Sequence, residues 1–350
     1  MANLIADEVP LAYARMARAV ALSKGDFLSA RAFIEANHGA NSIPYRLVQR
    51  DIDGTGSIVD DSTARLASTG LLGVSPRSNL LGQINAASGG LLQVGFNSRF
   101  LLQDSGATGA WVGEGTPLPV SGGGLSLHSL DVLKVGSLYF APIEQMRTFG
   151  PVADLAIARG LSAGNNAEIA KAFADPANAG VPGEKPASVT ADATVIASSG
   201  SSAADLSGDM AEMIEAFDGD LASAVWLMNP GLAFAFGMMG AGIGAADLMT
   251  GGVSRLAGLP AIANQGVPAN TLILLDPSSV AVAGPVIDID PSTEAAVEMQ
   301  IEGGGSEWLN LWQENLIGAR SIAYVNWTAR PGAAVVLGGV FPAAAVARGK

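Results

Sequence analysis

The chain has no cysteine among its 350 residues. Disulfides, thiolate metal sites and cysteine nucleophiles are excluded together, and the composition fits a reducing cytoplasm. Histidine is almost as scarce: only His38 and His128 are present, with no carboxylate at ligand spacing beside either. Both read as surface or satisfied polar residues, so no metal centre and no cofactor are expected. Charge is sparse as well, at 15% of residues, and it leans acidic, for a net charge of −13. A reader of nucleic-acid sequence needs Lys and Arg to neutralise phosphates, so that class is disfavoured. A chain with so few charges struggles to cover its own surface, and burial against partner subunits is the usual remedy.

What is present is apolar and turn-rich. Hydrophobic residues make up 49%, which excludes a disordered chain, and the length suffices for one large or two moderate cores. The 44 glycines and 18 prolines imply many turns and extended segments. The opening Met1-Ala-Asn-Leu-Ile-Ala-Asp7 lacks the basic and apolar regions of a signal peptide. From Leu221 to Ala246 no residue is charged, long enough for a bilayer span of about 20 residues. Asn229-Pro230 and the Gly-rich run Gly237 to Gly244 interrupt it, so a buried helix and loop at a subunit contact is expected there, with no membrane partner.

Periodicity predicts a helix over Leu11–Leu22 and a second one capped by Asp26 and ending at Asn37-His38-Gly39. Residues 41–70 are polar without clear period, and 71–104 suit an extended arm laid over a neighbour. In Trp111–Gly124, Pro117 and Pro119 forbid helix and the glycines supply turns; Leu125, Leu127, Leu130 and Val132 then suggest a returning strand. The result is a long hairpin with little core of its own, which needs a neighbour to lie on. A long helix is expected from Pro142 to Ala174, stopped by Asp175-Pro176, and an amphipathic one over Leu206–Phe217. Short strands are expected at 272–276, 280–282 and 286–289, and longer apolar or alternating ones at 322–327 and 333–337, for an α+β chain overall.

The apparent catalytic motifs weaken on inspection. Gly160-Leu-Ser162-Ala-Gly164 has nucleophile-elbow spacing, yet it lies inside a helical pattern and both histidines precede Ser162. Asp51-Ile-Asp53-Gly-Thr55-Gly56-Ser-Ile58 resembles the front of a calcium loop, but Ser62 stands where the bidentate Glu belongs. The glycines at 240, 242 and 244 lack the strand and spacing of a dinucleotide fingerprint. Trp308, Trp312 and Trp327 read as core or subunit-contact residues rather than a ligand box.

Five phrases in consistent order carry a more specific resemblance. They are Gly109-Ala-Trp-Val-Gly-Glu-Gly-Thr-Pro-Leu-Pro-Val120; Ala224-Val-Trp-Leu-Met-Asn-Pro230; Leu256-Ala-Gly-Leu-Pro-Ala261; Val267-Pro268 with Leu274-Leu-Asp276; and Glu314-Asn-Leu-Ile-Gly-Ala-Arg320. Together, over roughly residues 70–345, they resemble the major capsid proteins of tailed bacteriophages with the Hong Kong 97-like fold. That resemblance implies a non-enzymatic shell subunit assembling with itself as pentamers and hexamers into an icosahedral head. It also implies a scaffolding protein and protease, a portal, a cement protein where one is used, and double-stranded DNA packaged without sequence-specific binding. Localisation would be the virion, after assembly in the host cytoplasm.

The implied organisation is a helical segment at 1–70, either a reduced scaffold-like element or a retained arm, followed by an N-arm at 71–105 and an E-loop at 106–141. The peripheral domain, with the spine helix, takes 142–185 and 286–330, and the axial domain 186–285 and 331–350. Inter-subunit contacts are expected at Trp111, Val112, Glu114, Pro117, Pro119, Trp308 and Trp312. Some relatives cross-link through an E-loop lysine, but no lysine lies between Lys24 and Lys134. The rival readings are an encapsulin-type nanocompartment shell and a serine hydrolase using Ser162.

Overall fold

A computed structural model of the chain describes residues 2–53, 66–68, 71, 79–88, 90–105, 110–113, 124–149, 151–238, 254–300 and 306–340. The chain divides into two compact units. One comprises Met1–Gly82, Lys134–Ile169 and Pro285–Val325; the other comprises Gln83–Leu133, Ala170–Gly284 and Asn326–Lys350.

In the first unit, α1 (Ala2–Leu22), α2 (Phe27–His38) and α3 (Ile43–Asp53) pack on one another. The cap expected at Asp26 forms: its carboxylate accepts from the N–H groups of Leu28 (3.1 Å) and Ser29 (3.2 Å), and Gly39 closes the helix at φ 86°. Helix α1 begins at Ala2 rather than Leu11. Helix α3 falls where no regular structure was expected. Its stripe is short, with Pro44, Leu47 and Val48 at i, i+3 and i+4 buried between polar neighbours, and the packing partner supplies what the pattern lacks.

Strand β4 (Lys134–Pro142) pairs antiparallel with β13 (Leu316–Ala329), from Leu316 opposite Pro142 to Tyr324 opposite Lys134. The long helix expected from Pro142 is in fact two, α5 (Ile143–Phe149) and α6 (Pro151–Ala174), because the strand runs on to Pro142 and Pro151 starts a new helix. The glycines of the apparent elbow have a packing reason. A Cβ on Gly160 would sit 2.6 Å from the Tyr139 ring, and one on Gly164 3.1 Å from the Ser137 side chain, so glycine lets α6 lie close to β4.

The second unit is built on a six-stranded sheet in the order β5-β14-β9-β6-β8-β7, comprising Thr194–Ala197, Ala334–Gly338, Thr271–Leu275, Val225–Met228, Leu259–Ala263 and Ser254–Leu256. The inner strands β6 and β9 are buried at every residue, as expected of strands covered on both faces. Trp226 anchors the core, its ring fully buried and its Nε1 donating to the Leu256 carbonyl at 3.0 Å. Helix α7 (Ala203–Glu215) starts three residues before its expected Leu206, at a capping box in which Ser202 and Asp205 satisfy each other's backbone N–H groups.

Part of the expected extended arm is helical. Leu80, Leu81 and Ile84 are buried along α4 (Leu80–Ser88), and β1 (Leu92–Val94) then pairs in parallel with Ala281–Ala283. The two short strands expected at 280–282 and 286–289 are one, β10 (Val280–Ser292). Its Gly284, at φ 86°, carries the backbone past Pro285 without ending the strand.

Candidate assembly surface

Strands β2 (Arg99–Ser105) and β3 (Gly124–Ser129) form the base of the predicted hairpin, paired antiparallel with Leu101 opposite Leu127 and Gln103 opposite Leu125. Alternation along β3 would normally turn the leucines inward. Here Ser126 and His128 face the protein while Leu125 and Leu127 face out, 65% and 61% exposed, beside Leu101 at 58%. Three adjacent leucines thus make an apolar face with nothing over it among the described residues. Covering it would release about 2 kcal/mol per leucine, which makes it a candidate binding surface.

Of the site residues read from sequence, Trp111 is fully exposed and Val112 partly so, at 43%. Glu114, Pro117 and Pro119 lie outside the described residues. Trp308 and Trp312 are exposed in the other unit. Trp308 sits on β12 (Ser306–Asn310), opposite Glu298 of β11 (Ala296–Gln300), and Trp312 follows in a turn whose N–H is held by Asn310 Oδ1 at 3.2 Å. Trp327 separates from them: it is buried edge-on against Phe173 and donates to the Ala187 carbonyl at 2.7 Å. Sequence reasoning missed the exposure of Leu101, Leu125 and Leu127, along with that of Phe234 and Met238, which share an exposed i, i+4 face of α8 (Pro230–Met238). The missed signal was a period-two strand followed by no segment able to cover it.

The hydrolase reading is overturned. Ser162 lies in the middle of α6, fully buried, its Oγ donating to the Arg159 carbonyl at 3.2 Å, which is no strand-to-helix elbow. Asp51 and Asp53, which open the calcium-like motif, are among the last residues of α3, and the Asp51 carboxylate is paired with Arg50 at 2.7 Å; the rest of the motif lies outside the described residues. Among the described residues no three His, Asp or Glu side chains converge as a metal site, and no helix is long and apolar enough to cross a membrane.

Charged contacts instead fasten the N-terminal helices to their own unit. Arg18 pairs with the buried Asp154 of α6 at 2.9 Å, and Arg50 reaches Asp288 of β10 at 3.4 Å. Burial is the main force pushing the Asp154 and Asp288 carboxyls above their ordinary range, with Asp290 adding to the effect at Asp288.

Known proteins resemble the chain in both sequence and fold. Over 262 residues, 70% of the chain, it is 31% identical to the capsid polyprotein of Pseudomonas phage PAJU2. The chain belongs with the tailed-phage capsid proteins of Hong Kong 97-like fold. It spans 39% of the length of that polyprotein. No family model matches the chain. Among solved structures, a chain from Mycobacterium phage Adephagia superposes with a TM-score of 0.50 at 16% identity, over 74% of this chain and 91% of that one. A capsid chain of an empty GTA particle gives 0.48 at 14% identity, over 75% and 90%. In a capsid protein, a monomer that leaves leucines and tryptophans uncovered has an evident use for them.

Proposed function

We propose that this chain is the major head protein of a phage or prophage: a non-catalytic subunit that assembles as pentamers and hexamers into an icosahedral shell around double-stranded DNA. The single observation that carries the reading is the hairpin with its outward leucine face and, beyond it, the fully exposed Trp111. An exposed indole buries about 150–250 Å² when it docks, so leaving it in water makes sense only if a neighbour receives it. A net charge of −13 suits a wall that holds DNA without gripping it.

On this reading 106–141 is the E-loop and 71–105 the N-arm. The peripheral domain is 142–185 with 286–330, and the axial domain is 186–285 with 331–350. The strands of the six-stranded sheet all lie within 194–275 and 334–338, which supports that axial assignment. Residues 1–70 stay with the subunit rather than serving as a removable scaffold. Tyr13, Met16, Ala17 and Val20 are fully buried, the Tyr13 hydroxyl donates to the Ile287 carbonyl at 2.6 Å, and Ser68 Oγ accepts from the Ile287 N–H at 2.7 Å. A segment meant to leave would not bury its own side chains so completely or bond so directly to the backbone of Ile287. Partners would be a scaffolding protein and protease, a portal and, because the loop lacks lysine, non-covalent contacts or a cement protein to strengthen the shell.

Trp111→Ala tests the reading. It should raise the protein concentration needed for assembly, at about 2–4 kcal/mol per contact, and leave the melting temperature of the unassembled subunit unchanged. A lowered melting temperature with normal assembly would sink it.

A further inference from the structure

We infer that a groove beside Arg330 receives Glu114 from the loop of a second copy of this chain. The inference rests on the shell-subunit reading and names one contact within it. The groove holds about 400 Å³ and is lined by Leu92, Leu101, Gln103, Ser278, Ser279 and Arg330, among others. Its polar groups are unevenly satisfied. The Ser278 and Ser279 hydroxyls already donate to Asp276, at 2.7 and 2.6 Å. Arg330 donates one Nη2 hydrogen to the Asp218 carbonyl at 2.8 Å, its Nε is buried with no hydrogen-bond partner, and among the described residues no carboxylate lies at ion-pair distance from it. A guanidinium offers five donors in a planar fork, and this one keeps its buried Nε without a partner at the edge of a groove. What completes it should be a carboxylate.

The loop supplies one in a matching setting. Between Asp104 and Asp131 the chain carries a single charge, Glu114, flanked by Gly113 and Gly115, so no neighbouring side chain blocks its approach. Trp111 and Val112, both exposed, come just before it, and the groove presents Leu92 and Leu101, 41% and 58% exposed. An apolar pair followed by one carboxylate meets an apolar pair beside one guanidinium. The nine residues from Ser105 to Glu114 can span about 30 Å, enough to reach a neighbouring copy. In a chain with excess negative charge, subunits repel, and a buried Arg–Glu contact sets which surfaces meet as well as adding affinity.

Glu114→Arg and Arg330→Glu should each raise the concentration at which purified protein forms shells by about tenfold or more, the loss expected for a desolvated charge pair. The double variant E114R/R330E should recover assembly to within a few-fold of the original. The melting temperature of each unassembled variant separates docking from folding, and Arg330→Gln serves if Arg330→Glu does not fold. Single variants that assemble normally, or a double variant no better than either single, would overturn the inference while leaving the shell reading intact. Failure of the unmodified protein to form shells would count against the shell reading instead.

Discussion

Tyr13 shows how much one side chain carries. Burial is the main cause that pushes its phenol up to about 12, and its hydroxyl is committed to the Ile287 carbonyl. A tyrosine whose folded-state pKa exceeds its unfolded value of 10.0 stabilises the fold below that value and loses the contribution as pH rises towards 12. Alkaline titration should therefore loosen the N-terminal helices first, followed by hydrogen exchange in α1. Tyr13→Phe should cost about 1 kcal/mol at neutral pH and flatten that alkaline transition. Asp276 runs the other way. Burial pushes its carboxyl up, but hydrogen bonds from Ser279, Ser278, Ser223 and the Asp220 N–H outweigh it and hold the group below its ordinary 3.8. Its contribution is present above that value and disappears as pH falls through the lower folded one. Asp276→Ala should destabilise the subunit by about 1–3 kcal/mol in denaturant titration, because it removes the one acceptor that several part-buried donors share. Neither group stood out in the sequence: Tyr13 meets Ile287 274 positions away, and Asp276 gathers Ser223 and Asp220 from more than fifty positions away beside its near neighbours Ser278 and Ser279. Among the five tryptophans, the sequence placed Trp111, Trp308 and Trp312 at contacts but left Trp327 between core and contact. Trp226 and Trp327 went to the core and Trp111, Trp308 and Trp312 to the surface because of what lies over each, which spacing does not encode.

At the scale of elements, signals that end a segment were easier to read than signals that fill one. The Asp26 cap, the Gly39 stop and the Asp175-Pro176 stop lie where their local chemistry requires them. Helices α3 and α4 were missed because each has only two or three buried apolar positions and owes its stability to what it packs against. The hairpin was legible from its prolines, glycines and returning leucines, but not that its leucines point outward. That orientation follows from the pairing register, in which a one-residue shift would have turned them in. The N-terminal helices yield the element-scale prediction. Subunits recovered from particles should still contain peptides from residues 2–53, detected by mass spectrometry after digestion. Deleting residues 1–70 should give insoluble protein, because it uncovers Asp154 and the Ile287 backbone together. Particles built from chains lacking that segment would refute the retained role.

For the whole molecule, scarce charge, excess glycine and an unfinished hairpin point to an object completed by its own copies. The order of five weak phrases carried the family reading from the sequence, and the 31% identity to a phage capsid polyprotein agrees with it. The missing lysine between Lys24 and Lys134 argues that the finished shell holds without links from this loop, so shells boiled in detergent should run as single subunits on a gel. The most direct test of the central claim is electron microscopy of the purified full-length chain across salt, pH and concentration. The account predicts closed shells, rings of five or six, or tubes in at least one condition. A chain that stays a folded monomer in every condition would contradict it.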